Sequence, residues 1–256
     1  MIHPQAIIDP SARLGDGVQV GPYSVIGPDV VIGDGTWIGS HVVLTGPTSI
    51  GRNNKIYPFA SVGGEPQDKK YRDEPTRLEI GDNNVIREYC TISRGTVQDE
   101  GITSIGNDNW IMAYVHIAHD CRVGNHTIFA NSASLAGHVS VGDYAILGGF
   151  TLVHQFCKIG AHCFTAMNSV ISKDVPPFVM VSGHMAKPHG LNTEGLKRRQ
   201  FSSDALSKLR KAYKILYRSG LTTEHALEQL ATLAVDCPEV EALAGFVREA
   251  TRGIVR

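Results

Sequence analysis

The sequence predicts a mainly β fold, a parallel β-helix followed by a small α-helical domain. Three observations predict it. Aliphatic residues return at every sixth position through most of the first 171 residues, glycine often follows them, and beyond Pro176-Pro177 the period becomes helical. A repeat of this kind decides the fold before any single element is considered.

The first run is Ile8, Leu14, Val20, Ile26, Ile32, Ile38, Leu44, Ile50, Ile56 and Val62. The phase is lost between Gly64 and Thr76, returns at Ile80, Ile86 and Ile92, and slips by one across Gly95 to Thr103. It then holds for twelve hexads from Ile105 to Ile171, in which only Phe129 and Thr165 are not Ile, Leu or Val. Six is neither the period of a helix nor that of a plain strand. It reads as a short strand and a corner, with the aliphatic residue inward and glycine permitting the tight backbone. Three hexads close one triangular coil of 18 residues. Coils then stack by parallel pairing at about 4.8 Å. A single coil cannot bury its own aliphatics, so the unit must be a solenoid. The period does not give the hand, although parallel crossovers are normally right-handed.

From Asn192 onward the apolar spacing is helical. Leu206, Leu209, Tyr213, Leu216 and Tyr217 share one face, and Gly220 closes that helix. Thr222 or Thr223 caps a second helix carrying Leu227, Leu230 and Leu233. Pro238 opens a third, with Val240, Leu243, Phe246 and Val247. The chain therefore divides into a β-helix over 1–187, with insertion loops near 64–77 and 95–103, and a helical domain over 188–256.

Composition narrows the function. The 256 residues are 42% apolar and 19% charged, with a net charge of −1, which gives no overall attraction to nucleic acid. Cys90, Cys121, Cys157, Cys163 and Cys237 are odd in number and lack a C-x-x-C pair, which suits free thiols in a reducing cytoplasm. The Met1-Ile2-His3-Pro4 start does not read as a secretory signal, and no apolar run reaches membrane-spanning length. Any contact with lipid is then through a substrate or product.

Residues 18 apart lie one above another in such a stack, and His119, Gly137 and Gln155 satisfy that relation. His138 and His154 each sit one residue from the column, and His116 is three before His119. Imidazoles from successive coils thus converge on one edge, which suits acid–base catalysis or a metal site. Asp120 adjoins His119 and can orient its ring only if a corner turns the two side chains together.

With these residues stand the segments His116-Ile117-Ala118-His119-Asp120-Cys121, Leu135-Ala136-Gly137-His138, Val153-His154-Gln155-Phe156, Gln67-Asp68-Lys69-Lys70-Tyr71 and Asn192 to Arg199. Together they resemble the UDP-N-acetylglucosamine 3-O-acyltransferases, a family within the hexapeptide-repeat acyltransferases, over essentially the whole chain. The resemblance implies a left-handed β-helix, a homotrimer and transfer of a hydroxyacyl chain from acyl carrier protein to UDP-N-acetylglucosamine, the first step of lipid A synthesis. It implies His119 as general base on the sugar 3-hydroxyl and the Gly137 N–H as oxyanion donor, with Asp120 completing the catalytic set. Asp68 and Lys70 would contact the sugar and phosphate part of the nucleotide sugar. His116, His138, His154 and Gln155 would line the sugar and acyl site, and Asn192, Glu194, Arg198 and Arg199 the UDP end. Met167 occupies the family's acyl-chain ruler position, where methionine implies a chain near 3-hydroxydecanoyl. No cofactor or metal is implied, since the acyl group arrives on the carrier's phosphopantetheine.

Residues 193–218 carry eight basic side chains against Glu194 and Asp204, a net +6 in a molecule of net −1. Such segregation suits steering of an acidic carrier protein. Three other readings compete. A related transferase using acetyl- or succinyl-CoA shares the hexads, whereas the later N-acyltransferase would carry a uridine-binding domain before hexads that here begin by Ile8. A γ-type carbonic anhydrase would need two histidines five apart, but the residue five after His119 is Gly124. A purely structural solenoid would need no histidine column. The residues leave open a 3-amino rather than a 3-hydroxyl acceptor.

Overall fold

The computed structural model describes residues 1–256. Strands of two to five residues build three sheets, parallel throughout except for the last strand, which form the faces of a triangular prism. The first face has nine strands, from Ile7–Ile8 to Val170–Ile171, and the second has eight, from Arg13–Leu14 to Lys158–Ile159. The third has ten, from Gln19–Val20 to the terminal pair Val179–Ser182 and Lys187–Leu191. On the first face Ile26 pairs with Leu44 and Leu44 with Val62, each 18 positions on. Val62 then pairs with Ile92, thirty positions on, and Ile92 with Ile117, twenty-five on. The 18-residue spacing resumes through Leu135, Val153 and Ile171. Each phase break is thus a loop spliced between two coils, of twelve and seven extra residues, that leaves the stack in register. Both loops leave the corner between the first and second faces.

The repeating aliphatics form the core. Ile86, Ile92, Ile111, Ile117, Leu135 and Leu147 are at most 1% exposed within one cluster of 41 buried residues. Burying each such side chain is worth about 1.5–3 kcal/mol. Thr165 breaks the pattern without a penalty, because its hydroxyl pairs with Thr151 at 2.7 Å and accepts the Gly148 N–H at 3.0 Å.

Glycine plays a different part at the corners from the one expected. The left-handed residue is the third after most inward aliphatics, and it is usually aromatic, His, Asn or Asp, such as Tyr89, His138, Tyr144 and Phe156 at φ 60–64°. Glycine directly after the aliphatic answers to crowding instead. A Cβ on Gly33 would lie 2.6 Å from the Gly51 carbonyl carbon of the next coil. Aromatic side chains at the left-handed position stack coil on coil, as in Tyr23–His41–Phe59–Tyr89–Tyr114 at 5.0–5.1 Å. Such contacts offset part of the backbone cost of a positive φ. The residue before the left-handed one has an N–H outside the ladder, which explains Pro22, Pro28 and Pro58 there.

After Pro176-Pro177 one more strand, Val179–Ser182, joins the third face beside Phe164–Thr165, and Lys187–Leu191 pairs antiparallel with it. That hairpin runs across the 187/188 border. Four helices follow: α1 Thr193–Arg198, α2 Ser203–Arg218, α3 Thr223–Ala234 and α4 Pro238–Arg248. Asn192, Ser202 and Thr222 cap the first three, and Pro238 stands in the first turn of α4. No helix is long and apolar enough to cross a membrane. All five cysteines are buried and free.

His162 sits where the two parts meet. Its ring stacks between Tyr144 and Phe178, and its carbonyl accepts the Asn192 side-chain N–H at 3.0 Å. Nδ1 has no partner. Burial, with the nearby Arg199 charge second, pushes the imidazole down to about 4. The unfolded chain binds that proton near the ordinary value of about 6.5. The contribution is therefore intact above about pH 6.5 and is lost as pH falls toward 4. In His162→Phe the urea midpoint should fall less steeply over this window than in the parent, and identical slopes would refute the assignment.

Candidate active site

The column of residues 119, 137 and 155 lies on the corner between the first and second faces, from which both insertion loops emerge. Asp120 takes the left-handed corner position, φ 59°, and this turn brings its carboxylate round to its neighbour. His119 Nδ1 lies 2.8 Å from Asp120 Oδ2. The carboxylate accepts, so Nδ1 carries the proton and Nε2 is left as the basic nitrogen. Asp120 is fully buried, yet its carboxyl is held low. Burial pushes it up, and hydrogen bonds from His119 and Thr96 outweigh that.

Gly137 lies directly against the imidazole. A Cβ built there would be 2.5 Å from His119 Cε1 and 2.8 Å from Nε2, so only glycine leaves the ring its place. The Gly137 N–H donates to no acceptor of the protein. At the next corner the corresponding N–H groups of Asn107 and Asn125 are taken by Asn125 and Asp143 from the coil above. At Gly137 no such side chain closes the donor.

His138 stacks on Phe156 at 4.4 Å and meets His119 edge-on at 5.2 Å. Its Nδ1 is 3.2 Å from Asp99, and its Nε2 is 3.7 Å from Asp120. His116 Nδ1 lies 2.7 Å from the Thr91 hydroxyl, and burial, then the proximity of His119, lowers its proton affinity. Asp68 and Lys70 come from the first insertion, where Asp68 accepts the Lys70 N–H at 3.0 Å. With Gln67, Gln98, Asp99, His119, His138, Gln155 and Phe156 they wall a cleft of about 820 Å³. His154 is exposed beside it, outside the lining. His119, Asp120 and His138 bring ligand-type atoms within 4.8 Å, but the Asp120 oxygens already accept from Thr96 and His119.

Residues 29–64 and 102–137 match bacterial transferase hexapeptide repeats, and residues 174–255 match the second domain of UDP-N-acetylglucosamine O-acyltransferase. An acyl-[acyl-carrier-protein]--UDP-N-acetylglucosamine O-acyltransferase of Thiobacillus denitrificans is 65% identical over 255 residues, covering 100% of this chain and 99% of that one. The chain belongs to that family. Among solved structures, UDP-N-acetylglucosamine O-acyltransferase of Moraxella catarrhalis is 49% identical with a TM-score of 0.98, covering 100% and 99% of the two chains. UDP-N-acetylglucosamine acyltransferase of Francisella novicida is 44% identical with a TM-score of 0.98, covering 100% and 94%.

The remaining residues singled out in the sequence lie elsewhere. Asn192, Glu194 and Arg198 line a shallow depression of about 390 Å³ with Ile146, Phe164 and Met180, on the third face. That face is opposite the corner bearing His119, so one acyltransferase chain does not bring the two groups together. Asn192 also caps α1, and Arg199 lies over the Tyr144 ring at 4.9 Å. Met167 stands on the corner between the third and first faces, 75% exposed, and fills no core space. Sequence reasoning passed over Thr96, Gln98, Asp99 and Arg94, which lie where the hexad rule is suspended. Arg94 is buried, and its guanidinium donates to the Gly46 and Gly63 carbonyls and the Tyr71 hydroxyl, tying down the first loop. Gly137→Ala should keep the fold but force the imidazole aside, lowering acyl transfer at least about a hundredfold if His119 acts as a base; parental turnover would show the close approach to be idle.

Proposed function

We propose that the protein transfers a 3-hydroxyacyl chain from acyl carrier protein to the 3-hydroxyl of UDP-N-acetylglucosamine, opening lipid A synthesis, with His119 as general base. The observation that carries this reading is the His119–Asp120 pair lying against an uncommitted Gly137 N–H. Nε2 takes the sugar hydroxyl proton as the oxygen attacks the thioester carbonyl. The tetrahedral oxyanion accepts the Gly137 N–H. The C–S bond then breaks, and the imidazolium returns the proton to the leaving thiolate, so no cofactor is consumed. Asp120 stabilises the imidazolium between the two transfers. A positioned base is worth about 10²–10⁴ in rate and an oxyanion donor about 10²–10³.

Asp68 and Lys70, with His116, His138, His154 and Gln155 around the base, would hold the sugar and acyl parts. Asn192, Glu194, Arg198 and Arg199 suit the uridine diphosphate, arginine donating several hydrogen bonds to phosphate at once. Because that group sits on the face away from His119, it serves the cleft of a neighbouring copy in a homotrimer. On α2, Arg210, Lys211, Lys214 and Arg218 have no carboxylate partner, whereas Lys208 is paired with Asp204 and Asp236; this leaves four free cations to attract an acidic carrier in the cytoplasm.

Purified protein should transfer 3-hydroxydecanoate from its carrier to UDP-N-acetylglucosamine, more weakly as salt rises, and His119→Ala should lower turnover by about 10²–10⁴. His119→Ala and Arg198→Ala chains refolded together should exceed either alone. Undiminished transfer by His119→Ala would end the base assignment, and absence of any gain on mixing would end the shared site.

The exposed Met167 would close the far end of the acyl groove. Four methylenes left in water forfeit roughly 3 kcal/mol, enough to favour ten carbons over fourteen. Met167→Gly should therefore gain turnover on the fourteen-carbon donor; no gain removes the ruler.

A further inference from the structure

The loop at 95–103, which lengthens its coil by seven residues, does more than wall the cleft. Thr96, at its start, is 1% exposed and sends two donors to one carboxylate, its N–H to Asp120 Oδ1 at 2.8 Å and its hydroxyl to Oδ2 at 2.6 Å. Oδ2 is the same oxygen that meets His119 Nδ1. From the other end of the loop, Thr103 accepts the Asp120 N–H at 2.8 Å. We propose that Thr96 is a positioning residue of the acyl transfer, its hydroxyl fixing the plane and charge of Asp120 so that His119 stays aimed at the sugar oxygen. This rests on the reading of His119 as the base.

A carboxylate backing a histidine has two requirements. It must not swivel, and it must not keep the proton itself. The Thr96 N–H holds Oδ1 alone, and without the hydroxyl the only other hold on the carboxylate is the His119 ring that it has to aim. The hydroxyl locks the second oxygen and shares its negative charge, and a hydrogen bond to a charged acceptor is among the stronger ones. The groups facing Asp120 are few. His119 and His138 are the titratable ones, His138 being held from behind by Asp99, which also receives Arg122 at 3.0 Å. The adjoining Cys121 thiol is pushed up by burial, so it adds no charge. His116 acts on the pair only through His119. No lysine or arginine bonds to Asp120, so Thr96 is its sole donor besides imidazole and is not duplicated.

Thr96→Val keeps the shape and the N–H and removes only the hydroxyl. We expect kcat to fall about ten- to a hundredfold with KM for both substrates nearly unchanged. The acidic limb of the pH profile should also move to higher pH, because the Asp120–His119 pair, relieved of a donor, holds its proton more tightly. Thr96→Ser should restore both. If Thr96→Val does not fold, Thr96→Ala makes the same removal without added bulk. An unmoved acidic limb, or a serine variant no better than valine, overturns the inference and leaves Thr96 a mere loop anchor. His119→Ala, run alongside, separates the two ideas. If it is inactive while Thr96→Val behaves as the parent, this inference alone fails; if it is active, the reading of His119 fails first.

Discussion

Everything in this molecule depends on the parallel backbone ladder that seats each coil on the one before it. The ladder fixes an exact vertical correspondence, Ile117 on Leu135 on Val153 on Ile171. It holds whatever the corner side chains are, because the pairing groups belong to the backbone. The inward aliphatics make the stack stable, and the outward corners are left free to carry chemistry. A side chain on one corner therefore meets the residue 18 positions on, and here that brings the His119 ring against the Gly137 backbone.

The same constraint explains how a dyad arises from sequence neighbours. In a flat strand His119 and Asp120 would face opposite ways. The left-handed turn at Asp120 cancels that alternation. A non-glycine residue in such a conformation carries a backbone cost of about 1–3 kcal/mol. At most corners a ring stack or an Asn or Asp side chain lies on that position; at Asp120 the return is a buried carboxylate held by Thr96 and set against an imidazole.

Much of this could be read from the residues alone. The hexad gave the solenoid, the two phase breaks gave the loops, and apolar spacing with Thr222 and Pro238 gave the three longer helices. The stacking rule put Gly137 above His119. The antiparallel hairpin at 179–191 escaped notice because it follows two prolines and has lost the hexad. Thr96, Asp99 and Arg94 escaped for a related reason: a loop has no period, so nothing marks which of its polar side chains turns back to bond with a corner 24 residues further along. The division of the nucleotide residues from the base was also hidden, since linear spacing does not tell which face of a prism a later helix lies on.

The two insertions leave from one and the same vertex, and the ladder closes behind each as though nothing had been added. Length at that edge is thus uncoupled from the rest of the architecture. Descendants of such a chain can lengthen, shorten or exchange the cleft's walls while the scaffold beneath stays as it was, so that the vertex is the natural place for acceptor preference to drift and for a foreign segment to be grafted.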